Sequence, residues 1–124
     1  MEAEKALVER WRSLAGCYNE VACHLERELQ ERHGLTMSEF ETLDRLVGAD
    51  CDKQRIGDLE STMYLSQSAL SRTVARLEKH GLVERALCAD DRRGVYVTLT
   101  AQGVARHTDA HQTHVAILAE HLRS

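Results

Sequence analysis

The chain has 124 residues, enough for one domain with a single core, and 43% hydrophobic and 29% charged residues are typical of a soluble globular protein. The net charge is −4, no apolar run approaches the roughly 18 residues of a membrane span, and the N-terminus lacks a signal-peptide core, so we expect a cytoplasmic protein with no membrane partner. The four cysteines form neither a CxxC pair nor a zinc-ribbon spacing, which predicts reduced thiols.

The first predicted element is a long helix that Gly34 ends. Its apolar residues recur at alternating steps of four and three, which is the narrow stripe of a seam between packed helices. The stripe consists of Leu7, Trp11, Leu14, Tyr18, Val21 and Leu25, with Leu29 close behind. Trp11 and Tyr18 are interpreted either as fillers of this seam or as walls of a small-molecule pocket at a dimer junction.

Two shorter helices are predicted next. Thr36 and Glu39 form a candidate capping box for a helix that ends near Gly48, with Phe40, Leu43, Leu46 and Val47 at helical spacing. Residues 49–55 are polar and predict a loop that could include a short strand of a later sheet. Ile56 and Leu59 are the predicted buried residues of the following short helix, and residues 62–65 are predicted to form a turn.

A fourth helix follows, with two chemically distinct faces. Ser66 is a good N-cap, Leu70, Val74 and Leu77 form a buried stripe, and Gly81 is placed to end the helix. The opposite arc carries three cations, a hydroxyl and no large apolar residue, and it consists of Ser68, Arg72, Ala75, Arg76 and Lys79. Such a face suits a groove lined by phosphates.

The runs LVERAL and VYVTLT alternate apolar and polar residues and predict two strands, with CADDRRG as the turn between them. A basic helix followed by a hairpin with two arginines at its tip is the arrangement of a winged helix-turn-helix. The predicted fold class is therefore mainly α with a small β-wing. Residues 66–93 carry a net charge of +2 and residues 1–50 carry −5, so we expect moderate, salt-sensitive DNA binding by the positive segment.

The last predicted helix begins after Thr100, a plausible N-cap. Its heptad-like stripe consists of Val104, Thr108, His111, Val115, Leu118 and Leu122. A second stripe beside it consists of His107, His111, His114 and His121.

Two ordered motifs resemble the MarR family of bacterial transcription regulators. The first lies in SRTVARLEKHGLVER, where the matching residues are Leu77, Glu78, Gly81, Leu82, Val83 and Arg85. The second lies in DDRRGVYVTLTAQG, where they are Asp91, Arg93, Gly94, Val97, Leu99, Thr100 and Gly103. The resemblance implies a winged-helix lobe at residues 36–100 between dimerisation helices at 1–34 and 101–124. Relatives usually end in a longer pair of helices, so with the sequence stopping at Ser124 we expect the final helix to be absent or reduced.

The candidate DNA-contacting residues follow from the helix face and from the resemblance. Near the helix start, Gln67, Ser68 and Ser71 are predicted to read bases, while Arg72, Arg76 and Lys79 contact bases or phosphates. By resemblance, Arg93 is the contact at the wing tip and Asp91 orients the wing, and Arg92 is predicted as a phosphate neighbour. The alternative interpretation is that these charged residues form an ordinary solvent-exposed surface and contact no DNA.

We predict a homodimeric regulator, a repressor, that binds double-stranded DNA at a pseudo-palindromic operator. Only a dimer holds two recognition helices about 34–36 Å apart, the spacing of successive major-groove faces. By resemblance, small phenolic or aromatic compounds are the effectors. No cofactor is expected, and the sequence contains no Gly-rich phosphate loop, HExxH motif or GxSxG elbow, so an enzyme is not expected.

Three alternatives remain at this point. Some relatives sense zinc, and His107, His111 and His114, with Cys23, His24 and Glu41, are candidate ligands, although a histidine at a helix seam is more often a hydrogen-bonded or surface residue. Peroxide-sensing relatives keep a reactive thiol in the first helix, where this chain has Cys17. Lastly, the overall acidity fits a winged-helix module that binds a protein in place of DNA.

Overall fold

The structure is a computed structural model that describes residues 1–48, 53–88 and 91–122, with side chains for 1–48, 57–86 and 96–122. Five helices and three strands follow in the order α1 (Glu2–His33), α2 (Met37–Val47), β1 (Lys53–Arg55), α3 (Ile56–Thr62), α4 (Gln67–Lys79), β2 (Val83–Cys88), β3 (Asp91–Leu99) and α5 (Ala101–Leu122). The predicted fold class, mainly α with a small β-wing, is confirmed. Over these described ranges, no helix is both long and apolar enough to cross a lipid bilayer.

Local sequence signals set the helix ends. The side chain of Thr36 accepts a hydrogen bond from the backbone N–H of Glu39, and the Glu39 carboxylate accepts one from the backbone N–H of Thr36, so the predicted capping box is confirmed. Gly34 and Gly81 have φ values of 67° and 75°, a left-handed conformation that costs glycine little and that reverses the chain after α1 and α4.

One hydrophobic core joins the second half of α1 to α2, α3, α4, the sheet and α5. Its largest fully buried side chain is that of Phe40. The core also contains leucines and valines of α1, α2, α3, α4 and the sheet, together with Ala110 and Ile117 of α5. Residues 2–20 of α1 are all exposed and contribute no buried side chain to this core. Val47, one of the four apolar residues whose spacing predicted α2, is also exposed.

The sheet has the strand order β1-β3-β2, and both pairings are antiparallel. The short strand considered for the loop after α2 is present as β1, which pairs with β3 through Arg55 and Tyr96. The predicted turn from Cys88 to Gly94 was too long, because β2 continues to Cys88 and β3 begins at Asp91. Cys88 pairs with Asp91 after a register irregularity at Leu87 and Cys88. The strand pairing therefore extends to Asp91, although aspartate has a low intrinsic preference for strands.

Helix α5 packs within the chain through a face next to the predicted heptad stripe. Its buried residues are Gly103, His107, Ala110 and Ile117. On the predicted stripe, Val104, Val115 and Leu122 are exposed. The histidine stripe, which includes His107 and His114, therefore lies closer to the core than the apolar stripe does.

Candidate nucleic-acid interface

Helix α4 is held on the core by one face. Ser66 caps it, its hydroxyl accepting a hydrogen bond from the backbone N–H of Ala69 at 3.2 Å. Leu70, Val74 and Leu77 are fully buried, as the sequence predicted. Thr73, which the sequence analysis did not assign, is buried between them and donates its hydroxyl to the carbonyl of Ala69.

The other face of α4 is exposed and polar. Five of the six residues of this helix that were predicted to contact DNA are exposed, and the sixth, Ser71, is half-buried; the exposed ones are Gln67, Ser68, Arg72, Arg76 and Lys79. Within the described part of the chain, none of Arg72, Arg76 and Lys79 forms an ion pair with a carboxylate. Three cations on this face therefore keep their charge available for a ligand.

The hairpin of β2 and β3 follows α4 directly and is tied to it. The chain leaves α4 through hydrogen bonds from the N–H of Gly81 to the carbonyl of Glu78 and from the N–H of Leu82 to the carbonyl of Leu77. The Glu78 carboxylate lies 3.4 Å from the guanidinium of Arg85 on β2. This ion pair connects the end of α4 to β2, the first strand of the hairpin.

Thr100 joins the same region to α5. Its hydroxyl donates to the carbonyl of Gly81 at 2.6 Å and accepts from the backbone N–H of Gly103 at 3.0 Å, so it caps α5 as predicted. Its own N–H donates to the carbonyl of Leu82.

Three predicted wing residues lie in β3. The backbone of Asp91, Arg92 and Arg93 forms the first part of that strand. Their side chains lie outside the described residues, so the predicted roles in wing orientation and phosphate contact stay predictions.

A groove of about 550 Å³ separates α1 and α5 from the segment that leads into α4. Its lining is mostly apolar, with a few polar or charged side chains at the wall formed by α2 and α5. The lining residues are Leu14, Cys17, Tyr18, Val21, Ala22, Leu25, Met37, Ser38, Glu41, Arg45, Met63, Tyr64, Leu65, His114, Leu118 and Leu122. The structure therefore places Tyr18 at this groove.

Trp11, the other predicted pocket residue, does not line the groove. It lies seven residues before Tyr18, about 10 Å along α1 at 1.5 Å per residue, in the exposed half of that helix. The hypothesis that Trp11 and Tyr18 are walls of a pocket at a dimer junction concerns two chains and stays a prediction.

The histidines predicted as metal ligands are distributed over separate contacts. His114 lies 3.6 Å from Glu41, and His24 lies 2.9 Å from His121. Cys23 is exposed, and its thiol lies 3.9 Å from the Asn19 side chain.

Two of the predicted histidines, His107 and His111, lie close to Asp44, which was not predicted as a ligand. The side chains of His107, His111 and Asp44 form a group of potential ligand atoms, all within 4.8 Å of one another. Asp44 precedes His107 by 63 residues, so no local spacing signal could have found it.

Comparison with known proteins gives a consistent result. Residues 33–94 match the sequence model of the MarR family. The regulator AbsC of Streptomyces coelicolor is 34% identical, with 91% of this chain and 76% of that chain covered and a TM-score of 0.85. Sco3205 of the same organism, solved in complex with DNA, is 32% identical, with coverage of 97% and 74% and a TM-score of 0.88. The regulator MhqR of Bacillus subtilis is 28% identical over 86% of this chain and 72% of its own length. The chain therefore belongs to the MarR family of transcriptional regulators.

Proposed function

We propose that this regulator is a repressor that binds a pseudo-palindromic DNA operator as a homodimer, with one α4 helix of each protomer in the major groove. The observation that carries the proposal is the exposed face of α4, where Arg72, Arg76 and Lys79 lie on the side opposite the buried leucines. An α-helix fits the major groove, and a basic polar face meets the phosphates that line it. The related Sco3205 was solved with DNA, which supports the same ligand here.

Different parts of α4 have different proposed roles. Gln67, Ser68 and Ser71 lie in its first turns, the part of a recognition helix that enters the groove most deeply, and they contact base edges. Arg72 is one turn further along and pairs with a base or a phosphate. Arg76 and Lys79 are nearer the helix end and contact phosphates.

The proposed dimer interface is formed by the two terminal helices. On α1, Leu7, Trp11, Leu14 and Tyr18 are 59–69% exposed although they share one helical stripe. Val104, Val115 and Leu122 on α5 are exposed as well. A stripe of large apolar side chains on the surface is typical of a protein-protein interface, and a second copy of the chain offers the same stripe. Residues 1–34 and 101–124 are thus proposed as the dimerisation unit, and 36–100 as the DNA-binding lobe.

A small aromatic ligand in the groove of about 550 Å³ is the proposed release signal. The apolar lining suits an aromatic ring, and Arg45 offers a cation to an acidic or phenolic substituent. The groove touches α1 and α5 on one side and the turn at Met63 and Leu65, just before α4, on the other. A ligand that prefers one relative placement of these parts changes the spacing of the recognition helices through that preference.

Selection of bound fragments from random duplex DNA tests the proposal. A dimer with two α4 helices should recover an inverted repeat whose half-sites are about one helical turn, 10–10.5 base pairs, apart. Recovery of a single half-site contradicts the dimer, and recovery of no preferred sequence contradicts specific binding. A panel of small phenols added to the operator complex tests the effector, and unchanged operator affinity across the panel contradicts that part.

A further inference from the structure

The contact between α2 and α5 contains a fixed imidazole beside a carboxylate. His107 Nε2 lies 2.8 Å from Asp44 Oδ1, and the His107 side chain is only 9% exposed. The ring of His107 stacks on Phe40, with centroids 5.3 Å apart and planes 11° from parallel. Packing therefore holds this imidazole in one orientation, with Nε2 directed at Asp44.

A second imidazole lies beside the first. His111 is one helical turn after His107 on α5, and the two rings are 5.5 Å apart with an interplanar angle of 27°. His111 is exposed and the Asp44 side chain is 40% exposed, so the group opens to solvent on one side.

We propose that Asp44, His107 and His111 bind a divalent transition-metal ion of the zinc class. Two imidazole nitrogens and one carboxylate oxygen are a ligand set that Zn²⁺ accepts, and three protein ligands leave a fourth tetrahedral position for water. The ligand atoms already lie within 4.8 Å of one another. The site includes no residue of α4, so metal binding does not depend on the proposed DNA-binding function.

The rearrangement that the ion requires is small. Bonds of about 2.0–2.1 Å to a tetrahedral ion place neighbouring ligand atoms about 3.3 Å apart. The pair of Asp44 and His107, now hydrogen-bonded at 2.8 Å, opens slightly to admit the ion. His111 moves inward, and its exposed side chain is free to change rotamer.

The nearby pair of His114 and Glu41 is the natural competitor for this ion. Its two atoms are 3.6 Å apart, and it lies one turn further along α5. Among the residues that the structure describes, however, only Asp44, His107 and His111 bring three potential ligand atoms together. A third ligand is what distinguishes a specific site from a histidine-carboxylate hydrogen bond.

Metal binding to the full chain tests the proposal. The chain is freed of metal with a chelator and titrated with Zn²⁺ in competition with a chromophoric indicator at neutral pH, where imidazoles bind metal in their neutral form. We expect stoichiometric binding of one ion per chain and a higher thermal midpoint. Co²⁺ in place of Zn²⁺ should give the visible absorption of a four-coordinate site.

Matched variants locate the ion. His111→Ala and Asp44→Asn should each lower the affinity for Zn²⁺ by at least about tenfold, since even outer-sphere partners of metal ligands are worth that much. Asn keeps the size of Asp44 and can still hydrogen-bond to His107, and His111 is exposed, so both variants should fold, which circular dichroism checks. His80→Ala removes an exposed histidine elsewhere and should bind Zn²⁺ like the parent chain.

Three results overturn the proposal: no competition with the indicator by the parent chain, undiminished affinity in both His111→Ala and Asp44→Asn, or loss of binding in His114→Ala and Glu41→Gln with His111→Ala unaffected. The last result would move the ion to the neighbouring pair.

Discussion

At the scale of single residues, the cations of α4 differ in how firmly their side chains are held. Arg76 Nη2 donates to the Thr73 hydroxyl at 3.3 Å, and that hydroxyl in turn donates to the Ala69 carbonyl. Arg72 is exposed on the same face. A guanidinium offers two parallel donors to a guanine edge, so Arg72 is the stronger candidate for base recognition, while Arg76 is held as a positioned charge.

Arg72→Ala should therefore weaken binding to the selected operator by about 1–3 kcal/mol and relax the preference at one base position. Fluorescence anisotropy with the operator and with single-base variants measures both effects. Arg27→Ala, which removes an exposed arginine from α1, is the matched control and should leave the affinity unchanged. An equal loss in the two variants would mean that only overall charge matters.

Residue-level predictions succeeded where the signal is local. The caps at Thr36, Ser66 and Thr100 were predicted because an N-cap and its partner are three residues apart in the sequence. The contact between Asp44 and His107 could not be predicted, because it exists only once α2 and α5 are packed together.

At the scale of elements, the packing of α5 against the rest of the chain depends on Gly103 in its first turn. Gly103 is buried, and a Cβ at this position would overlap the carbonyl oxygen of Leu82. That carbonyl belongs to the backbone just after α4 and already accepts a hydrogen bond from the N–H of Thr100. The absence of a side chain at residue 103 therefore allows α5 to lie directly against the chain that leaves α4.

Gly103→Ala should lower the free energy of unfolding by about 1–3 kcal/mol, the usual cost of overpacking, because backbone must move to relieve the overlap. Urea denaturation followed by circular dichroism measures the change. In Gly57→Ala, the control, the new Cβ meets open space in helix α3, so stability should change little or rise slightly. Equal stability of Gly103→Ala and the parent chain would show that α5 is seated differently.

The elements themselves were predicted well and their faces less well. Burial of Leu70, Val74 and Leu77 on α4 followed from periodicity, because that helix has one apolar stripe. On α5 two stripes compete, and the one that contains His107 packs inside the chain. Periodicity locates a stripe but does not say whether it meets the same chain or another molecule.

At the scale of the whole molecule, the exposed half of α1 is the largest departure from the usual surface of a single globular domain. Trp11 and Tyr18 are 67% and 69% exposed, and both lie on the stripe that was predicted to be a seam between packed helices. No other helix of the described chain covers these two side chains, so for this half of α1 the seam stays a prediction. The sequence pattern could not say whether the partner helix belongs to the same chain or to another molecule.

Trp11→Asp should shift the proposed dimer toward monomer. A fully buried large apolar side chain contributes about 1.5–3 kcal/mol, and a symmetric interface loses it twice, so the dissociation constant should rise at least about 100-fold. Sedimentation equilibrium measures this constant. Asn19→Asp adds the same charge on another face of α1 and should leave the dimer intact. A parent chain that stays monomeric at all concentrations contradicts the proposed assembly.

Salt dependence tests whether an acidic molecule binds DNA through one positive face. Affinity should fall linearly on a log-log plot against salt concentration, and Lys79→Ala should reduce the slope by about one if Lys79 contacts a phosphate. Lys5→Ala, which removes a lysine from the first turns of α1, should leave the slope unchanged. A flat dependence in the parent chain would favour the alternative of a module that binds protein.

The hydroxyl of Thr100 touches both Gly81, just after α4, and Gly103, in the first turn of α5. These two short hydrogen bonds connect the end of α4 to the start of α5 through one side chain. If both bonds are kept when α5 rotates, the end of α4 must move with it. In the proposed DNA complex, the angle of α4 in the groove would then depend on a helix outside the proposed contact face.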